Sequence, residues 1–116
     1  MDYKKRTIIG LTEKIMVYSN NSHKKQIIAR IDTGATKSSI DVNLAAQLNL
    51  GPVVRSKLVR SAHGNKLRPV IETDIQFAGK KMKAEFTLAD RSHMKYHILI
   101  GRNILSDKYL IDPCKK

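Results

Sequence analysis

The sequence predicts a small all-β domain, closed or sandwiched. Apolar, β-branched segments alternate with turn-forming clusters about every 8–12 residues. Met82–Ala89 alternates strictly, with Met82, Ala84, Phe86 and Leu88 on one face, as a half-buried strand does. Helix signals are confined to two short stretches, after Ile40 and after Gly101.

Thr7–Leu11 and Lys14–Ser19 are rich in β-branched and apolar residues, and Asn20, Asn21 and Ser22 supply a turn after them. Gln26–Asp32 is the next strand. It ends in Thr33–Gly34–Ala35, where glycine admits a backbone that other residues avoid. From Asp41 to Leu50, Leu44, Ala45 and Leu48 fall at helical spacing, with Asp41 as N-cap and Gly51–Pro52 as a stop. Arg55–Ser61 and Lys66–Phe77 flank Ala62–His63–Gly64–Asn65, a hairpin signature. Ala78–Gly79–Lys80 turns the chain into Met82–Ala89. His97–Ile100 is a continuous apolar strand running into Gly101–Arg102, a short helix follows over Asn103–Asp107, and Tyr109–Asp112 is the last strand. Met16, Met82 and Met94 read as core filler.

A chain of 116 residues fits one compact domain and not two. Its 41% hydrophobic and 28% charged residues allow a modest core and exclude disorder by composition. The single cysteine, Cys114, excludes an internal disulfide framework and a Cys-rich zinc module, and reads as a free thiol. No apolar run approaches the roughly 18 residues of a membrane span. The segment MDYKKRTIIG lacks the apolar stretch of a signal peptide. The expectation is a cytoplasmic protein with no membrane partner.

Lys and Arg number 22 against 10 Asp and Glu, a net charge of +12. Such a charge draws anions, but the cations fall in small scattered groups and aromatic residues are few. No spacing typical of a nucleic-acid-binding motif is present. Nucleic acid is therefore not expected as the main partner, while the charge leaves an acidic partner or substrate open.

Two segments carry chemistry. Ile31–Asp32–Thr33–Gly34–Ala35 places an acid at the end of a buried strand, and Ile98–Leu99–Ile100–Gly101–Arg102–Asn103–Ile104–Leu105 wraps aliphatics around Gly-Arg-Asn. Asp-Thr-Gly alone arises often by chance; the pair of segments is far more specific. With Arg60–Ser61, Gly64, Arg68, Asp90–Arg91, Met94 and Ile111–Asp112, they resemble the small retropepsin-like aspartic protease family. The second segment is similar to the retroviral protease pattern. Prokaryotic members are often labelled ATP-dependent zinc proteases, and some occur beside ATP-grasp ligases that modify proteins.

The resemblance covers about residues 7–112 and implies a single retropepsin-like domain over 1–116. The implied fold is a closed acid-protease barrel with one or two short helices. It implies an aspartic endopeptidase in which Asp32 is catalytic and Thr33 and Gly34 shape its turn. Ala35 lines the substrate floor, and Ala62, His63, Gly64 and Asn65 form a flap that covers bound peptide. Gly101 sits where the later strand passes behind the catalytic turn, and Arg102 pairs with a carboxylate as structural support. No second Asp-Thr-Gly exists: Asp41–Val42–Asn43, Asp74–Ile75–Gln76, Asp90–Arg91–Ser92 and Asp112–Pro113–Cys114 do not repeat it. A catalytic pair therefore requires a homodimer meeting at Asp32. Two such carboxylates cannot both ionise comfortably and share a proton, so one activates water while the other donates to the scissile carbonyl. The expected partners are a second copy and a peptide or protein substrate, with a functional link to an ATP-grasp ligase system.

Two other functions fit the same residues. One is a non-catalytic peptide-binding or dimerisation module on this fold; the other is a basic nucleic-acid-binding β-barrel. The sequence also departs from the retroviral pattern, carrying Thr36–Lys37–Ser38–Ser39 where that pattern has acids. No cofactor and no metal are expected. H-E-x-x-H and G-x-x-x-x-G-K-[ST] are absent. The histidines are His23, His63, His93 and His97; the last two are four apart but lead into a strand rather than lying on a helix.

Overall fold

In the computed structural model, residues 5–62, 64–106 and 108–115 are described. Strand β2 (Thr12–Tyr18) pairs antiparallel with β3 (Lys24–Ile31), and β8 (Ile98–Ile100) lies parallel to β3. Next come β4 (Ser38–Asp41), β7 (Lys80–Ala89) and β6 (Gly64–Phe77). β6 then returns to β2 through Ile15↔Phe77 and Val17↔Ile75, closing six strands into a barrel. β5 (Val53–Ser61) extends the sheet outward from β6, and β1 (Thr7–Ile9) forms a separate parallel pair with β9 (Tyr109–Ile111). The expected closed all-β barrel is what the chain forms.

Period-two alternation decides what the barrel encloses. Ile15 and Val17, Ala29 and Ile31, Ile98 and Ile100, and Ile75 and Phe77 point inward and are buried. Phe77 meets the Tyr109 ring edge-on at 5.2 Å, joining β9 to the barrel. Two short helices cover the ends. Helix α1 (Val42–Gln47) begins as expected at Asp41, whose Oδ2 accepts from the Leu44 N–H at 3.2 Å. It stops earlier than the apolar spacing implies, because Asn49 adopts a left-handed φ of 52°. Helix α2 (Arg102–Leu105) starts one residue before the expected Asn103 and ends at Leu105, where Ser106 turns extended.

The structure corrects several details. β4 was not foreseen: Ser38–Asp41 is a strand because β7 and β8 pair with it from both sides, not because of its own propensity. The hairpin ladder runs to Ser61↔Gly64, so Gly64 and Asn65 belong to β6 rather than to the turn. Met82 packs against the core, but Met94 is 55% exposed and fills nothing.

Candidate functional site

Asp32 follows directly on β3. Ile31 pairs with Ile100, and the Asp32 N–H donates to the Ile100 carbonyl at 2.9 Å. Because Ile31 points into the barrel, alternation brings Asp32 to the outer face that Arg30 also occupies. The carboxylate is half-buried. Its Oδ1 accepts from the Gly34 N–H at 2.9 Å, and the Asp32 carbonyl accepts from the Ala35 N–H at 3.3 Å. A Cβ on residue 34 would stand 3.2 Å from Oδ1, so glycine fits this turn where larger residues crowd it. Among the described residues, Oδ2 has no hydrogen-bond partner.

The turn is held from behind by the segment after β8. The Arg102 N–H donates to the Ala35 carbonyl at 2.8 Å, and the Asn103 N–H to the Thr36 carbonyl at 3.1 Å. Gly101 lies against this strap so closely that a Cβ there would be 2.5 Å from the Lys37 carbonyl oxygen. Among the described residues, the Arg102 guanidinium pairs with no carboxylate, unlike what the resemblance implied. It donates to the Thr33 carbonyl and the Thr36 hydroxyl, each at 3.1 Å. Thr36–Lys37–Ser38–Ser39 stand where the retroviral pattern has acids, and backbone and hydroxyl oxygens take that place.

Sequence reasoning missed the residues that complete the clamp. Ser38 is fully buried; its hydroxyl accepts from the Gly101 N–H at 2.9 Å and donates to Asn103 Oδ1 at 2.7 Å. Asn103 Nδ2 in turn donates to the Glu85 carbonyl at 3.1 Å. The two Ser38 links span 63 and 65 positions in sequence, which no local pattern reveals.

The outer face beside Asp32 carries a continuous cross-strand row. Register pairs Arg55 with Val70, Val70 with Thr87, Thr87 with Ser39, Ser39 with Leu99, and Leu99 with Arg30. Val70 and Thr87 are buried in the middle, and the two arginines are exposed at the ends. Arg91 adds a third cation near the acid. Its Nε donates to the Tyr96 carbonyl at 3.1 Å. Burial pushes its pKa down and Arg30 repels it further, while Asp32 and Asp41 act in the opposite direction.

The expected flap is a real hairpin, with Ala62, Gly64 and Asn65 exposed at its far end; His63 lies outside the described residues. It is the base of the hairpin, through Arg55, that reaches the sheet carrying the site. There Arg55 forms a two-pronged ion pair with Glu85 of β7, Nη1 to Oε2 at 3.0 Å and Nη2 to Oε1. His93 and His97 are exposed in the loop before β8. Among the described residues, no three His, Cys, Asp or Glu side chains converge on a metal-binding arrangement.

The profile of the RimB-like family, described as retropepsin-like aspartic endopeptidase RimB, matches residues 42–116. The chain belongs to this family. The matched span begins after the Asp32 turn and includes β8 and Gly101–Arg102. Proteins named "probable alpha-L-glutamate ligase" from Shewanella pealeana and Desulfotalea psychrophila are 32% and 30% identical over 112 residues, covering 75% of this chain. The chain spans about a quarter (24%) of the length of these relatives. Among solved structures, a Legionella pneumophila protein of unknown function superposes with a TM-score of 0.65 at 21% identity, covering 95% of both chains. EIAV protease, solved with an inhibitor, gives 0.62 at 21% identity, covering 92% of this chain and 91% of its own. These likenesses establish the retroviral-protease type of fold.

Proposed function

We propose that this chain is an aspartic endopeptidase working as a homodimer, with residues 7–112 forming one catalytic half. The observation that carries the reading is the Asp32 turn, where one carboxylate oxygen is fixed by Gly34 and the other has no partner among the described residues. The turn is clamped from behind by Gly101, Arg102 and Asn103. Family membership supports the same chemistry.

In the dimer, two Asp32 side chains face each other across the two-fold axis, with Thr33 bonding across it to fix the pair. Like charges at that distance hold one proton between them. The ionised carboxylate takes a proton from a bound water, and the resulting hydroxide attacks the scissile carbonyl. The protonated carboxyl donates to the carbonyl oxygen, and the proton gained from water later leaves with the amine. Ala35 forms part of the substrate floor, and the hairpin end at Ala62–Asn65 closes over the peptide and excludes water. The +12 charge and the glutamate-ligase name of the relatives support a glutamate-bearing peptide as substrate, in the cytoplasm, and a functional link to an ATP-grasp ligase.

The test incubates the protein with unstructured glutamate-containing peptides from pH 3 to 7, beside Asp32→Asn, with and without a statine-type inhibitor or a chelator. The expected result is cleavage that the substitution reduces by about 10³-fold or more, that the inhibitor blocks, and that the chelator leaves alone. Cleavage by Asp32→Asn at the wild-type rate would overturn the reading and favour a peptide-binding module.

A further inference from the structure

The far end of the outer row, at the base of the hairpin, is rich in cations. Lys37, Arg55, Lys57, Val70, Glu85 and Thr87 line a small pocket at the base of the hairpin. Arg55 and Lys57 are two apart on β5 and so share a face. Lys37 comes from the segment that joins the Asp32 turn to β4. Three cations therefore meet one acid. Both oxygens of that acid are taken by Arg55, and among the described residues neither Lys37 nor Lys57 forms an ion pair. The Arg55 hydrogen bonds hold the Glu85 carboxyl below the usual glutamate range against the burial that pushes it up, and Lys37 adds to the lowering. Glu85 already sits in this small pocket, and Lys37 and Lys57 stand beside it without an acidic partner among the described residues.

Its place relative to Asp32 follows from the strand register. From Arg30, two residues before Asp32, the row crosses four strand spacings through Leu99, Ser39 and Thr87 to Val70, roughly 19 Å along the sheet. That is the reach of about six extended residues. Resting on the endopeptidase reading, we propose that Lys37 and Lys57, beside the Arg55–Glu85 pair, form a specificity subsite for one acidic side chain of the substrate, up to about six residues from the bond cut. Lys37 and Lys57 supply the two ammonium groups, and Arg55 is held in place by Glu85. The residues act on binding and touch no reacting atom.

The test uses peptides in which glutamate is replaced by glutamine one position at a time, on each side of the cut. One position is expected to lose about tenfold in kcat/KM, carried by KM, as a charge-assisted contact at a partly exposed site would. In a Lys37→Ala/Lys57→Ala double variant that penalty shrinks towards onefold, and Lys37→Arg/Lys57→Arg restores it. A glutamine penalty of the same size in the alanine variant, at every position, overturns the subsite. Should no peptide be cut at all, the endopeptidase reading fails separately, and the subsite is then judged by fluorescence anisotropy with a labelled oligoglutamate peptide at low salt. Binding weakened about tenfold in the alanine variant sustains it, and unchanged binding overturns it.

Discussion

The Asp32 turn and the β5–β6 hairpin are both loop-tipped elements of one sheet, yet they are held in opposite ways. The turn is fixed by four hydrogen bonds from Arg102 and Asn103 and by a buried Ser38 that serves two partners at once. The outer hairpin has its own ladder, Val53–Ser61 against Gly64–Ile71, and, among the described residues, one ion pair at the base. Leu58 and Leu67, opposite each other in that ladder, are 47% and 71% exposed. A group that must hold a proton at a set position calls for the first kind of support, and a cover that admits a peptide calls for the second. On the endopeptidase reading, the turn is the fixed half of the site and the hairpin the half that moves.

The strongest way to break the contrast is to loosen the turn. Gly101→Ala would push a methyl group against the Lys37 carbonyl at 2.5 Å and the Ala35 carbonyl at 2.9 Å. Both obstacles are backbone and cannot swing aside. A loss of about 3 kcal/mol in global stability is expected from such overpacking, read from the urea midpoint. A midpoint close to that of the wild type would mean the strap behind Asp32 is not rigid.

Arg55→Ala probes the other half, and its effect is small. The pair is solvent-exposed, so the global midpoint should stay within experimental error while amides of β5 exchange faster, by less than about tenfold. Amides of β3 and β8 should be unaffected. Acid should reproduce this loosening in the wild type. Glu85 has a folded-state pKa below its unfolded value, so its contribution is present above the ordinary glutamate range and is lost as pH falls through the depressed value. Equal acceleration of exchange in β3 and β8 would erase the distinction between the two regions.

Legibility in the sequence follows the same division. Strands with their own alternation, such as Met82–Ala89, and the Asp41 cap could be read locally, and the barrel followed from the resemblance carried by Asp32–Gly34 and Ile98–Leu105. What escaped was set by distant partners. Ser-Ser-Ile-Asp has no strand signature until β7 and β8 flank it. Ser38 and Asn103 look like ordinary polar residues until they meet, and Arg102 carries no mark showing that its acceptors are Thr33 and Thr36 rather than an acid. Met94 misled because its apolar character said nothing of its place in an exposed loop. The cross-strand row from Arg30 to Arg55 needed five separate registers, and the three that join β3, β8, β4 and β7 are not local.

The central claim is that two copies of Asp32 make one active site, and subunit mixing tests it most directly. Wild-type protein and Asp32→Asn are mixed in equal amounts, allowed to exchange subunits, and assayed against the same total concentration of wild type alone. If each site needs two aspartates, only dimers of two wild-type chains cut, and activity falls to about a quarter. Activity of about one half, as expected when each chain works alone, would contradict the account.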